Sequence, residues 1–321
     1  MENISLNNLE FSIIVITYNP NYDKLFQTLN SIMNQEKTNF EIIIADDGTK
    51  EFDSNLIKEW IKSKNFNKYR IMHSEENVGT VRNIQKALLF ANGKYIKLIS
   101  PGDFLYDNNV LNNTYIYMKE NNYDIIFGNA VYYNIDNEGK IKFVNKSNPM
   151  DKSPYLKKNA KKIKKSYLVY QDYILGAAFI CEKKLLLTYI NKIVGLVKYA
   201  EDCAIILMVA DNIEISYWDN YLIWYECNTG ISTSGNSIWM KKIVEDNKKC
   251  FELIVSKYPE LRKILELNYG PNSLKRRIFT LKRKLRNKFI RIKNILMKDN
   301  FFNIQEDRLK QILKYDMSKG V

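Results

Sequence analysis

Four times between residues 11 and 103 an apolar run ends in a small polar cluster: FSIIVITYN at 11–19, EIIIADDG at 41–48, HSEENVGTVRN at 73–83 and KYIKLISPGD at 94–103. The landmarks of these clusters, Asn19, Asp46, Asn77 and Asp103, lie 27, 31 and 26 residues apart, about one strand plus one crossover helix each. After the first cluster Leu25, Leu29 and Ile32 recur on one helical face. The rhythm predicts an α/β chain built on a parallel sheet. In an open sheet of this kind the ligand sits outside the carboxyl ends of the strands, where the polar clusters fall, so this part of the chain is expected to bind a nucleotide.

Beyond residue 130 the alternation loosens. A Gly-bounded strand is expected at GAAFI (176–180), a helix over EDCAIILMVAD (201–211), and a strand and loop over YLIWYECNTGISTSG (221–235). From about residue 240 the pattern is helical to the end, with a break at Gly270-Pro271 because proline cannot continue a helix. Within this region Leu274, Ile278, Leu281, Leu285, Phe289, Ile292 and Leu296 recur at steps of 4, 3, 4, 4, 3 and 4 and draw one apolar stripe along a helix spanning 274–298. No solenoid-type repeat is present.

Composition agrees with a globular protein. At 321 residues, with 45% hydrophobic and 26% charged positions, the chain can bury a sizeable core. The start, MENISLNNLE, lacks a basic region followed by an apolar stretch, and no apolar run approaches the ~18 residues that span a bilayer, so a cytoplasmic location is expected. Cys181, Cys203, Cys227 and Cys250 form no CxxC pair and His73 is the only histidine; neither a zinc site nor a disulfide framework is supported, and reduced thiols are expected.

Charge changes the picture more. Of the net +13, residues 1–270 keep only +2, while 275–298 hold eleven Lys and Arg with no acidic residue. Such a basic amphipathic helix can lie on an anionic membrane, each nearby cation contributing about 1 kcal/mol before salt screening. The alternatives are packing of the stripe on the rest of the chain, or pairing with a second copy as a homodimer helix. A second run, KKNAKKIKK at 157–165, is either a solvated face or a lip that attracts an anionic acceptor such as a lipid diphosphate. No nucleic-acid partner is expected: acidic strand ends would repel phosphates, and the basic segment lacks interleaved aromatics.

Taken together, Thr17-Tyr18-Asn19, Asp46-Asp47-Gly48-Thr49, Asn77-Val78-Gly79 with Arg82-Asn83, and an acidic residue after the fourth strand make residues 11–105 resemble the donor half of an inverting GT-A glycosyltransferase of family 2, of bacterial surface-glycan type. The resemblance continues less tightly to about residue 240. It implies a Rossmann-like nucleotide-binding sheet with helices on both faces, a catalytic domain over 1–240 (donor half 11–130, acceptor half 131–240) and a helical extension over 241–321. The donor would be a nucleotide-sugar, with UDP as the nucleotide, and the acceptor a glycan or lipid-linked hydroxyl at the inner face of the cell membrane. Thr17 and Tyr18 would line the base, and Asp46 would accept hydrogen bonds from base or ribose, a role that suits any strand-end carboxylate. Arg82 would reach the base from the third cluster; Asn19, Asp47, Asn77, Gly79, Ser100 and Gly102 complete the donor-binding set.

Two departures bear on mechanism. Family members end the fourth strand in D-x-D-D, whereas this chain has Ser100-Pro101-Gly102-Asp103, leaving Asp103 as the one metal-binding carboxylate. With diphosphate oxygens and water a single carboxylate can still hold Mn²⁺ or Mg²⁺. Near 225–235, where the family often carries Arg and His, this chain has Glu226-Cys227-Asn228 before Thr229-Gly230-Ile231-Ser232, whose hydroxyls and amides are available to a diphosphate. On the acceptor side Glu201-Asp202 resembles the family's acid pair, which makes Asp202 the base and Glu201 an acceptor-positioning residue. Two acids opening a helix are also what the helix dipole favours. A nucleotidyltransferase would share the nucleotide-binding half but carry a Gly- and Lys-rich phosphate loop, which TYNPNYDK lacks.

Overall fold

The computed structural model describes residues 8–136, 138–227, 237–296 and 304–314. The first half alternates as its patterning predicts: β1 (Phe11–Thr17), α1 (Tyr22–Met33), β2 (Phe40–Asp46), α2 (Ser54–Ser63), β3 (Tyr69–His73), α3 (Thr80–Phe90) and β4 (Tyr95–Ile99). Strands β1 and β2 are continuous apolar runs, as strands covered on both faces should be. Helix starts are set by short polar side chains that accept orphan amides, Asn21 from Lys24 at 3.0 Å and Asp53 from Leu56 at 2.8 Å.

β1 pairs in parallel with both β2 and β4, and β2 with β3, so four parallel strands lie in the order β3-β2-β1-β4. The chain moves outward from β1 to β3 and then returns to the other side of β1. That reversal opens a crevice at the carboxyl ends of β1 and β4, between the first and fourth polar clusters.

The sheet then becomes mixed. After β5 (Phe104–Leu105), α4 (Val110–Glu120), β6 (Ile125–Ile135) and β7 (Ile141–Val144) come the short helices α5 (Ser153–Leu156) and α6 (Ala160–Lys164), then β8 (Phe179–Glu182), α7 (Lys183–Ile193), α8 (Cys203–Ala210) and β9 (Ser216–Glu226). β8 runs antiparallel between β4 and β6, β9 pairs with β6, β5 closes the far edge, and β7 extends β6. The GAAFI segment departs from expectation: Gly176–Ala178 is a 3-10 turn and the strand begins at Phe179.

Helices cover both faces. Val81, Ile84, Leu186, Ile190 and Phe251 build one core, while Leu25, Leu29, Trp60, Leu111 and Trp224 build the other. Every residue of α8 (CAIILMVA) is buried, which is why this helix shows no polar face. The helical C-terminal region follows as α9 (Ser237–Lys257), α10 (Arg262–Tyr269), α11 (Leu274–Leu296) and α12 (Glu306–Leu313). Among the described residues no helix is long and apolar enough to cross a membrane. Cys181, Cys203 and Cys250 are buried free thiols and Cys227 is half-buried.

The apolar positions of α1 and α11 answer to different surroundings: Leu29 is fully buried, while Leu285 is 58% exposed. Leu29→Ala is therefore expected to cost about 2–5 kcal/mol in urea unfolding, and Leu285→Ala to stay within about 0.5 kcal/mol of the parent.

Candidate active site

The first three polar clusters are bound to one another at the carboxyl ends of β1, β2 and β3. Asp46, the last residue of β2, is 1% exposed; its carboxylate accepts the Thr49 amide (2.8 Å) and hydroxyl (2.6 Å) and faces His73 Nδ1 at 2.8 Å. Sequence reasoning directs this carboxylate toward a base or ribose. The structure turns both oxygens onto Thr49 and His73, and His73, whose ring stacks on Phe52 at 5.2 Å, is the group that shows at the surface there. Asp47 accepts the amides of Val78 (2.9 Å) and Gly79 (3.0 Å), which fastens the third cluster to the second. Burial pushes its carboxyl above the ordinary range, against the pull of those two amides.

Asn19 adopts a left-handed backbone (φ 48°) and its amide bonds the Thr49 hydroxyl at 2.7 Å, so the turn after β1 hangs on the turn after β2. Tyr18 stands 44% exposed beside it, Thr17 is buried, Asn77 is half-buried and Arg82 is exposed on the first turn of α3. The expected donor residues thus share one rim, but Asp46 and Asp47 hold its loops together.

The fourth cluster carries a denser charge network than the sequence suggests. Ser100 is exposed. Gly102 has φ +99°, a left-handed backbone that favours glycine, and a Cβ there would lie 2.6 Å from Glu226 Oε2 and push that carboxylate aside. Glu226, at the end of β9, takes both of its oxygens to Lys24 Nζ at 2.7 and 2.6 Å, and its amide donates to Asp103 Oδ1 at 3.3 Å. Asp103 is 8% exposed, and burial pushes its carboxyl up to about 7. Its counter-charge is Lys97 on β4, fully buried and brought down to about 7 by that burial, whose ammonium donates to the Ala177 and Leu98 carbonyls. Asp103 caps no helix, since β5 follows it directly. Lys24 and Lys97 escaped sequence reasoning: each reads as an ordinary solvated lysine until residues some 80 or 202 positions away close around it. Residues 228–235, expected to help with the diphosphate, lie outside the described residues.

On the acceptor side Glu201 and Asp202 form the tight turn into α8. Asp202 occupies the N-cap position without a side-chain cap bond. Its carboxylate instead lies against Gly176, where a Cβ would come within 2.4 Å of Oδ1. Burial raises both carboxyls, and the Asp202 charge raises Glu201 further. The turn is held from behind by Asp246 on α9, which is 4% exposed and accepts the amides of Lys198 (3.2 Å), Tyr199 (2.7 Å) and Ala200 (3.2 Å). Sequence reasoning missed Asp246, which sits in an unremarkable helical stretch.

Two links join this turn to the donor rim. The Lys198 carbonyl accepts the Val81 amide at 3.1 Å, next to Gly79. Gly176 carries Asp202, and its neighbour Ala177 receives Lys97, the counter-charge of Asp103. The Asp202 carboxylate and the lysine facing the fourth cluster thereby lie beside neighbouring residues of one turn.

A parallel β3-β2-β1-β4 half, a polar rim at its switch point and a mixed second half carrying an acid turn define a GT-A glycosyltransferase. Residues 12–180, more than half of the chain, match Glycosyl transferase family 2, and the chain belongs to that family. It is 30% identical over 133 residues to the poly(ribitol-phosphate) beta-N-acetylglucosaminyltransferase TarP of Staphylococcus aureus, a match covering 40% of this chain and 38% of TarP. The chain spans less than half the length of the curated relatives it matches. Among solved structures, S. aureus TarS 1–349 in complex with UDP-GlcNAc aligns with a TM-score of 0.58 at 20% identity, over 91% of this chain and 76% of that one. The mannosyltransferase PcManGT from Pyrobaculum calidifontis, in complex with GDP-Man and Mn²⁺, aligns with a TM-score of 0.55 at 11% identity, over 95% and 79%. At these identities the likeness concerns the fold.

Asp246→Ala would strand three amides on the segment leading into the acid turn. A loss of about 1–3 kcal/mol is expected in urea unfolding, with partial recovery in Asp246→Asn, which keeps an acceptor oxygen.

Proposed function

We propose that the chain transfers a sugar with inversion from a UDP-sugar to an acceptor hydroxyl of a surface glycan or lipid-linked glycan, with Asp202 as the base. The observation that carries this reading is the position of the Asp202 carboxylate beside Gly176, one residue from the Ala177 carbonyl that accepts from Lys97, a cation that pulls the Asp103 carboxyl down. The base thereby lies next to the turn that receives the lysine facing the donor-side carboxylate. That TarS, which shares the fold, was solved with UDP-GlcNAc supports the choice of donor class.

The chemistry follows from that placement. The acceptor oxygen attacks the anomeric carbon while the bond from that carbon to the diphosphate oxygen breaks on the opposite face. The acceptor proton passes to Asp202, and the nucleoside diphosphate leaves with the bonding electrons. Glu201 would position the acceptor. Tyr18 and Arg82, on the exposed part of the rim, would hold the base, with Thr17, Asn19, Asp46, Asp47, Asn77 and Gly79 shaping the pocket; Ser100 and Gly102 would meet the diphosphate. Among the described residues no group of three or more His, Cys, Asp or Glu side chains gathers as a metal site, so Asp103 would hold Mn²⁺ or Mg²⁺ as a single carboxylate together with the diphosphate oxygens. When bound, that ion would neutralise charge on the departing diphosphate. Glu226 contributes no free carboxylate to such a set while Lys24 holds both of its oxygens.

UDP release from a panel of UDP-sugars in the presence of Mn²⁺, with and without candidate acceptors, tests the proposal; no turnover with any donor would count against it. Asp202→Asn is expected to lower kcat by ~10²- to 10⁴-fold with donor binding nearly unchanged. Equal loss of donor binding would mark Asp202 as structural.

The pH profile follows from burial of the acid turn. A base whose carboxyl is raised is protonated at a higher pH than a free Asp (~3.9), so the acid limb of kcat/KM should lie above that value and vanish in Asp202→Asn. The native state also keeps protons that the unfolded chain has released between the ordinary and the raised value. Stability therefore falls as pH rises through that window.

A further inference from the structure

Helix α11 is built with its polar side inward. Arg276 donates to the Asn268 carbonyl at 3.1 Å and Arg283 to the Asn268 side chain at 3.0 Å. Arg286 lies 4.2 Å over the Tyr170 ring and pairs with Asp151 (3.4 Å) and Asp172 (3.5 Å), and Asn294 donates to the Met150 carbonyl at 2.9 Å. Ile290 is the one residue of α11 described as buried. The apolar stripe that the spacing predicts does form, but it faces outward: Leu285 is 58%, Phe289 70% and Leu296 77% exposed. Packing of this stripe on the catalytic half, one of the sequence expectations, is thus not what the fold does among the described residues.

At about 100° per residue the stripe is centred nearly opposite the arginine side, and exposed cations border it on both flanks. Lys275, Lys282 and Lys293 run along one flank. Arg277, Lys284, Lys288 and Arg291 run along the other. The helix carries no acidic residue, and its 23 residues extend about 34 Å. An apolar line bordered by long cationic side chains suits an interface in which the apolar groups enter the acyl boundary and the ammonium and guanidinium groups stay at anionic headgroups. A second copy of the same face would bring like charges together along both flanks with no acid to offset them. A nucleic acid would meet the cations but set the Leu and Phe line against phosphates.

We propose that the outward face of α11 docks the enzyme on an anionic lipid surface. The arginine contacts fix the helix to the body, so docking would hold the active-site body against the bilayer. The basis is independent of the donor and base assigned above.

The test is co-sedimentation of the full chain with vesicles of phosphatidylcholine containing phosphatidylglycerol, and with vesicles of phosphatidylcholine alone. Binding is expected to the anionic vesicles only and to fall by at least about tenfold between low and high salt. Leu285→Asp with Phe289→Asp, and separately Lys282→Gln with Lys284→Gln and Lys288→Gln, should each lower binding by at least about tenfold at unchanged melting temperature, since all five positions are exposed. Equal binding to neutral vesicles, no binding to either, or full binding by the double aspartate variant would overturn the proposal. So would a concentration-dependent dimer, or duplex nucleic acid binding, that the same variants abolish while no vesicle binding is seen. UDP-sugar turnover in solution should be the same in all variants, which separates failure of docking from failure of the catalytic reading.

Discussion

The reversal of strand order about β1 is the constraint on which the rest of the molecule depends. Parallel strands need crossovers of a dozen or more residues, and helices on both faces supply them. Once β2 and β3 are laid on one side of β1 and β4 on the other, the loops after β1 and β4 diverge and leave an open rim. The second half joins the sheet at the edge of β4 and leaves β3 at the opposite edge. β8 takes the β4 edge in antiparallel pairing, and the turn before it brings Gly176 against the Asp202 carboxylate and the Ala177 carbonyl onto Lys97.

Acidic residues at this rim do two kinds of work. Asp46, Asp47 and Asp246 satisfy loop amides, hydroxyls or a histidine, and a buried carboxylate with several such partners ties segments far apart in sequence. Asp103, Glu201 and Asp202 have fewer partners than burial would demand, and their carboxyls are raised accordingly. A raised carboxyl with few partners is a candidate for proton exchange or cation binding. Burial raises the Asp47 carboxyl as well, so it is the set of amides, hydroxyl and histidine held by Asp46, Asp47 and Asp246, not the shift, that sets the two groups apart.

The fourth cluster adds a feature particular to this chain. With Ser100, Pro101 and Gly102 where acids would be expected, the local negative charge comes from Asp103 and from Glu226, which arrives from β9. Lys24, part-exposed, pairs with Glu226, and Lys97, fully buried in the sheet, acts on Asp103. Gly102 leaves the space that Glu226 fills, so the unusual sequence of the cluster and the distant glutamate form one arrangement.

Much of this was legible in the chain itself. Apolar runs spaced by helical ones dictate strands β1 to β4 and their crossovers, because strands covered on both faces and parallel to one another require that spacing. The clusters after those strands mark the rim for the same reason, and the stripe of α11 follows from 3.6-residue periodicity alone. Periodicity says which residues share a face, however, not what that face meets. It could not tell that α11 turns its arginines inward, since Asp151, Asp172 and Gln171 come from elsewhere in the chain. Nor could it show that Asp46 turns onto His73, that Gly176 begins a 3-10 turn rather than a strand, or that Lys24 reaches Glu226. Those outcomes depend on desolvation and on partners 27 to 202 positions distant, quantities that exist only once the chain has folded.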